Sequence, residues 1–90
     1  MLKIKDNIDL KELEKYGFEL VKQSGTYYGF KLSDFYKLEI KDEDLDEIED
    51  KITFNAHRRK LFIDCFSKEL SDKTLDIIYD LIKADLIEKV

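Results

Sequence analysis

Five short segments that favour β-strands lie between Phe18 and Phe66, and they limit the folds open to this chain more than any other feature. They span residues 18–22, 26–32, 35–41, 51–56 and 60–66. Each contains β-branched or aromatic residues, and most alternate apolar with polar positions. The links between them are short, and Ser24-Gly25 and Ser33-Asp34 are turn signals. The pattern therefore predicts an antiparallel meander of about 4–5 strands.

The alternation also predicts which side chains of the meander face the core. Successive side chains of a strand point to opposite faces of a sheet, so every second residue should be buried. The inward sets are Tyr36, Leu38 and Ile40, then Ile52, Phe54 and Ala56, then Leu61, Ile63 and Cys65. Phe62 and Phe66 should then lie on the other face.

Helix start signals stand on both sides of the strand-forming region. Asp9 is suited to cap a short N-terminal helix that Gly17 ends, and Ser71 is suited to cap a C-terminal helix that we expect to be long and to run close to Val90. We therefore expect an α+β fold, in which the meander is flanked by a short N-terminal helix and a long C-terminal helix packed on one face.

The C-terminal segment carries two apolar stripes at helical spacing. We expect the first to lie on the sheet; it consists of Leu75, Ile78, Tyr79, Ile82, Leu86 and Val90. The second stripe, Ile77, Leu81 and Ala84, falls on nearly the opposite side. A monomeric two-layer fold does not obviously bury this second stripe, so it is a candidate homodimer interface.

Composition argues for one domain without a bound cofactor. Ninety residues with 43% hydrophobic residues suffice for a single core, so residues 1–90 should form one domain. The lone Cys65 and lone His57 leave no disulfide framework and no zinc-finger ligand set. No apolar run approaches the ~18 residues of a membrane span, and the N-terminus lacks a signal-peptide pattern. We expect a cytoplasmic protein that is not an enzyme and needs no cofactor or metal.

Residues 42–50 form a concentrated acidic segment. Its carboxylates are Asp42, Glu43, Asp44, Asp46, Glu47, Glu49 and Asp50. Without these seven charges the formal net charge would change from −5 to +2, so the acidity is local. A calcium loop is a poor match, because Glu47 stands where the loop needs glycine and Thr53 where it needs glutamate. The segment is either a solvated acidic surface or a patch that binds a basic groove, including one that otherwise holds nucleic-acid phosphates.

A basic turn follows the acidic segment in sequence. Residues 55–59 should form the tip of a hairpin, and Arg58, Arg59 and Lys60 concentrate positive charge there, near the aromatic Phe62. Basic and aromatic side chains together are typical of single-stranded nucleic-acid binding. A sequence pI of about 4.9 opposes direct nucleic-acid binding. A solvated turn and a protein contact remain open alternatives.

Both ends of the chain resemble a known group of proteins. The segments from Lys5 to Phe18 (KDNIDLKELEKYGF) and from Ile78 to Val90 (IYDLIKADLIEKV) look like the ends of small uncharacterised phage and prophage proteins of low-GC Gram-positive bacteria. This resemblance covers about a third of the chain, and its motifs are capping and packing signatures, so no functional residue can be carried over from it. It implies a small phage-encoded accessory protein in the cytoplasm of a bacterial host cell. This group includes inhibitors of host enzymes and defence systems, anti-CRISPR proteins among them.

These features together favour a non-catalytic protein-binding inhibitor or modulator. Its partner would be a host protein, for example a nucleic-acid-binding defence effector, and its binding surface the acidic phosphate-mimicking segment. One alternative is a self-associating structural or assembly module that uses the stripe of Ile77, Leu81 and Ala84. Another, less favoured, is a nucleic-acid binder that uses the basic hairpin tip.

Overall fold

The structure, a computed structural model, describes residues 1–42, 44, 47–66 and 69–90. Its regular elements are a 3-10 helix (Leu10–Tyr16), an α-helix, α1 (Asp72–Lys83), and the strands β1 (Leu2–Ile4), β2 (Glu19–Val21), β3 (Thr26–Tyr27), β4 (Phe30–Lys31), β5 (Phe35–Lys41), β6 (Ile48–Asn55), β7 (Leu61–Cys65) and β8 (Ile87–Lys89). The α+β class and the antiparallel sheet are confirmed. The expectation of a long C-terminal helix is wrong, because α1 has 12 residues.

The main sheet has four antiparallel strands in the order β2-β5-β6-β7. The registers Tyr36↔Phe54 and Ile52↔Ile63 place the predicted inward residues on one face. Phe54 and Ile52 are completely buried there, while Phe62 and Phe66 are exposed, as the alternation predicts. Cys65 is an exception, since the structure places it at the surface, at the end of the edge strand β7.

Residues 26–32 do not form a strand of the main sheet. They contain the two-stranded hairpin β3-β4, which pairs only with itself among the described strands. Tyr28 and Gly29 at its tip have positive φ values of 50° and 81°. Two consecutive residues with positive φ form the tight turn that joins hairpin strands, and Gly29 adopts this conformation without strain. This turn divides the predicted strand in two.

Both helices start at the predicted caps, and both end with the same backbone motif. The Asp9 side chain accepts a hydrogen bond from Lys11 N, and the Ser71 side chain accepts one from Thr74 N. At the C-terminal ends, Phe18 N donates to Leu13 O, and Leu86 N donates to Leu81 O. This six-residue closure brings an apolar residue after each helix onto one within it, as in the Schellman motif, and all four of these side chains are in the core.

The C-terminal helix ends earlier than its apolar periodicity predicts. Asp85 adopts a left-handed conformation with φ 61°, and the chain then continues as β8. β8 pairs antiparallel with β1, with Ile4 opposite Ile87, and both side chains are buried. The two ends of the chain are therefore joined in a small sheet against the same core.

The structure reverses the predicted orientation of most of the residues in the two stripes; Leu86 is an exception, since it is buried in the core as expected. Leu81 is 0% exposed and Ile77 packs against the core, so the stripe expected to face outward faces inward, although Ala84 is exposed. Leu75, Tyr79 and Ile82 are 49%, 62% and 54% exposed. The apolar residues of α1 occupy a wider arc of the helix than the core can bury. The buried side is the one that includes Thr74 and Leu81. None of the helices in the described part of the chain is long and apolar enough to cross a membrane.

Candidate binding surfaces

The structure divides the acidic segment into a buried and an exposed part. Asp50, on β6, is 0% exposed, and its Oδ2 accepts hydrogen bonds from Ser71 N (2.9 Å) and Thr74 Oγ1 (2.6 Å). Burial opposes ionisation of this carboxyl, but the bonds from Thr74 and Ser71 outweigh it and lower the pKa of Asp50. Asp50 therefore joins the sheet to the start of α1 and is not available to a partner.

The remaining described carboxylates of the segment are near the surface. Asp44 and Glu47 are exposed, and Asp42 and Glu49 are half-buried. Burial, together with the charge of Asp42 and a hydrogen bond to it, raises the pKa of Glu49. Glu49 therefore holds a proton more strongly than an isolated glutamate does. Glu43 and Asp46, which the sequence also assigns to the patch, lie outside the described residues.

The exposed part of the acidic segment is continuous with the outer side of α1. Asp42, Glu49 and Asp72 line one depression of about 280 Å³, together with Lys41, Ser71 and Lys73. From Asp72 the carboxylates of Asp76 and Asp80 follow at intervals of four residues, about 6 Å apart along the helix axis. All three are exposed. We call Asp42, Asp44, Glu47, Glu49, Asp72, Asp76 and Asp80 the acidic surface.

An apolar stripe runs beside this row of aspartates on α1. It consists of the exposed Leu75, Tyr79 and Ile82, which follow one another at helical spacing. A solvent-facing stripe of this kind, bordered by charged residues, is typical of a surface that binds another protein. Sequence periodicity identified these residues but assigned them to the wrong side of the helix.

The three basic residues of the predicted tip have different roles. The tip itself is confirmed as a turn, in which Asn55 Oδ1 accepts hydrogen bonds from His57 N and Arg58 N. The Arg59 guanidinium turns inward and donates to the carbonyl oxygens of Lys5 and Ile8, which holds the segment after β1 in place. Arg58 and Lys60 line a depression at the surface.

That depression belongs to a groove on the uncovered face of the main sheet. Three depressions adjoin there, since all are lined by Lys31 and Ser33, and two of them are also lined by Phe62. Phe30 contributes a second exposed ring. The sequence suggested the basic turn and Phe62, but not the hairpin β3-β4 that brings Phe30 and Lys31 to the same place.

The described residues show no assembled metal site, since no three of their His, Cys, Asp or Glu side chains come together in a group that could hold an ion. Comparisons of the chain with family models, curated proteins and solved structures found no match.

Proposed function

We propose that this protein is a non-catalytic protein-binding inhibitor or modulator, which docks through the acidic surface and the apolar stripe of α1. Its partner is a protein with an apolar groove bordered by Lys and Arg, of the kind that otherwise holds nucleic acid. The resemblance of the chain ends to phage proteins extends the proposal to a phage-encoded anti-defence protein that acts on a host effector.

The continuity of the acidic surface carries this proposal. Asp42 and Glu49 on the β5-β6 hairpin share a depression with Asp72, so the charge of the turn continues into the row of Asp76 and Asp80. Regularly spaced negative charge beside an apolar stripe offers a basic partner both electrostatic attraction and area to bury. Separate acidic residues scattered over the domain would not provide this combination.

The raised pKa of Glu49 gives the proposed binding a pH dependence. A cationic partner near Glu49 would favour the ionised form of its carboxyl. Binding should therefore strengthen as the pH rises through the pKa of Glu49, which lies above its ordinary value of 4.5.

The test is an affinity capture from bacterial lysate with three forms of the protein. The first is the natural sequence, and the second carries Glu47→Gln, Asp76→Asn and Asp80→Asn. The third is a control with the same change in charge at exposed or half-exposed sites elsewhere, Asp6→Asn, Glu14→Gln and Glu88→Gln. Thermal melts establish that all three are folded.

We expect a protein that the natural form and the control capture, that the acidic-surface variant loses, and that heparin displaces. Equal capture by all three forms, or capture that heparin does not affect, contradicts the proposal.

Self-association is the second candidate function, because Leu75, Tyr79 and Ile82 are exposed on one helix. The residues named from the sequence for this role do not suit it, since Leu81 is buried. Sedimentation at micromolar concentration distinguishes the candidates. A dimer that Tyr79→Ser dissociates supports self-association, and a monomer leaves the stripe to a different protein.

A further inference from the structure

We propose that the groove on the uncovered face of the sheet binds single-stranded nucleic acid. The residues that carry this inference are Phe30, Lys31, Lys51, Arg58, Lys60 and Phe62, which we call the basic groove. This site is separate from the surface assigned above to a protein partner, and its existence does not depend on that assignment.

The groove is formed by the meander and by the β3-β4 hairpin. Its floor is the face of the sheet opposite the core, because Phe62 pairs with Thr53, and Thr53 alternates with the buried Ile52 and Phe54. The hairpin places Lys31 at one side. The three adjoining depressions measure about 560, 350 and 450 Å³, so an extended chain of small groups can lie across them.

Two aromatic rings offer stacking surfaces in one of these depressions. Phe30 is 77% exposed and Phe62 is 51% exposed, and both line the same depression with Arg58 and Lys60. Two exposed rings in one depression form an apolar patch, and such patches are typical of binding sites. Bases stack on such rings, and each stack contributes about 1–3 kcal/mol in single-stranded complexes.

The charges of the groove fit a phosphate backbone. Lys31, Arg58 and Lys60 line it, and the one described carboxylate among the lining residues, Asp34, already accepts a hydrogen bond from Gln23 N. Lys51 contributes less positive charge to the groove, because it lies opposite Glu39 and Asp64 in the sheet. Its Nζ is 5.8 Å from the centre of the Phe35 ring.

The net charge of −5 does not prevent this binding. The acidic segment follows Lys41, the last residue of β5. The groove lies at the opposite end of β5, near Phe35. Six residue steps at about 3.3 Å separate these ends by about 20 Å. The screening length is about 8 Å at physiological salt and about 14 Å at 0.05 M, both shorter than this separation, so the acidic residues hardly weaken the positive potential of the groove.

The exposed aromatic rings favour nucleic acid over an acidic protein as the partner of the groove. Basic side chains alone would suit either partner. Two exposed rings next to Lys31 and Lys60 suit bases, which present a flat face at every nucleotide.

The experiment is fluorescence anisotropy of labelled oligodeoxyuridylate and oligouridylate, which carry the same base, at salt concentrations from about 50 to 150 mM. Phe30→Ala and Phe62→Ala should each weaken binding about tenfold, because each removes one stacking surface. With three phosphate contacts, the slope of log K against log salt should be about −2, and Lys31→Gln should reduce its size by about 0.7. Phe66→Ala and Lys83→Gln are matched controls outside the groove and should leave binding unchanged.

The two oligonucleotides differ only in the 2′-hydroxyl, so tighter binding of oligouridylate indicates RNA as the ligand, and tighter binding of oligodeoxyuridylate indicates DNA. The proposal is overturned if neither oligonucleotide binds at about 50 mM salt, if the two Phe variants bind as well as the controls, or if polyglutamate competes as well as the unlabelled oligonucleotide. The last result would mean that the groove attracts any polyanion and does not recognise bases.

Discussion

Asp50 is the fully buried carboxylate that connects β6 to the start of α1, and its replacement tests the packing of the domain. Its Oδ2 accepts bonds from Ser71 N and Thr74 Oγ1, and Thr74 is also 0% exposed. Asp50→Asn keeps the shape and one oxygen acceptor but removes the charge. Asp50→Ala removes the acceptor and leaves both donors without it.

The size of each effect follows from these bonds. A hydrogen bond to a charged group contributes about 1.5–3 kcal/mol and a neutral one about 1 kcal/mol, so Asp50→Asn should cost about 1–3 kcal/mol. Asp50→Ala should cost about 3–5 kcal/mol, because buried donors lose their partner. For a domain of this size, 1 kcal/mol corresponds to about 4–8 °C in Tm. The asparagine variant should therefore melt roughly 10 °C below the natural form.

The assay is urea unfolding followed by circular dichroism, at several pH values and with Thr74→Val as a second variant. Thr74→Val removes the hydroxyl that donates to Asp50, so the double variant with Asp50→Asn should show a coupling energy of about 1–2 kcal/mol.

The pH dependence has a definite sign. The pKa of Asp50 is lowered below 3.8, so the ionised carboxyl stabilises the folded state fully above that pH. Its contribution is lost as the pH falls through the lowered pKa. The stability difference between the natural form and Asp50→Asn should therefore shrink below pH 3.8. A cost under about 0.5 kcal/mol at neutral pH, or a difference that grows in acid, refutes this account of Asp50.

Three further predictions concern single residues. Leu81→Ala should cost about 2–5 kcal/mol in urea unfolding and Leu75→Ala less than about 1 kcal/mol, because only Leu81 is buried; the reverse order contradicts the observed orientation of α1. Arg59→Ala should cost about 1–3 kcal/mol because two backbone carbonyls lose their donor, whereas Arg58→Ala should have little effect on the melt; equal effects contradict the inward position of Arg59. Gly17→Ala should lower the free energy of unfolding by about 1 kcal/mol because φ is +93°, and an unchanged thermal melt argues against the left-handed cap.

Local signals explain why much of the fold was predictable. Asp9, Ser71 and Gly17 act on backbone groups a few residues away, so their roles can be read from the sequence. The alternation in β5 and β6 likewise identified Tyr36 and Ile52 as core residues.

Long-range contacts explain what was missed. β1 and β8 pair although they lie at opposite ends of the chain. Strands of three residues are too short for their alternation of apolar and polar residues to predict that pairing. The apolar arc of α1 includes Leu75, Ile82 and Leu81, and periodicity cannot tell which part of so wide an arc the core will cover.

In the candidate sites, too, local features could be predicted from the sequence, whereas long-range contacts could not. The acidic segment could be recognised from composition, but not the burial of Asp50, which depends on Thr74 from a distant helix. The basic turn could be predicted from the sequence. The inward position of Arg59 could not, because its partners, Lys5 and Ile8, are some fifty residues away in the sequence.

We propose that this chain carries two separate binding surfaces of opposite charge. The most direct test is a pair of nitrogen-15 NMR titrations, one with oligouridylate and one with an oligolysine peptide. We expect the oligonucleotide to shift the amide signals of Phe30, Lys31 and Phe62, and the peptide to shift those of Asp76 and Asp80. Shifts of the same residues by both ligands, or of neither group, would contradict the claim.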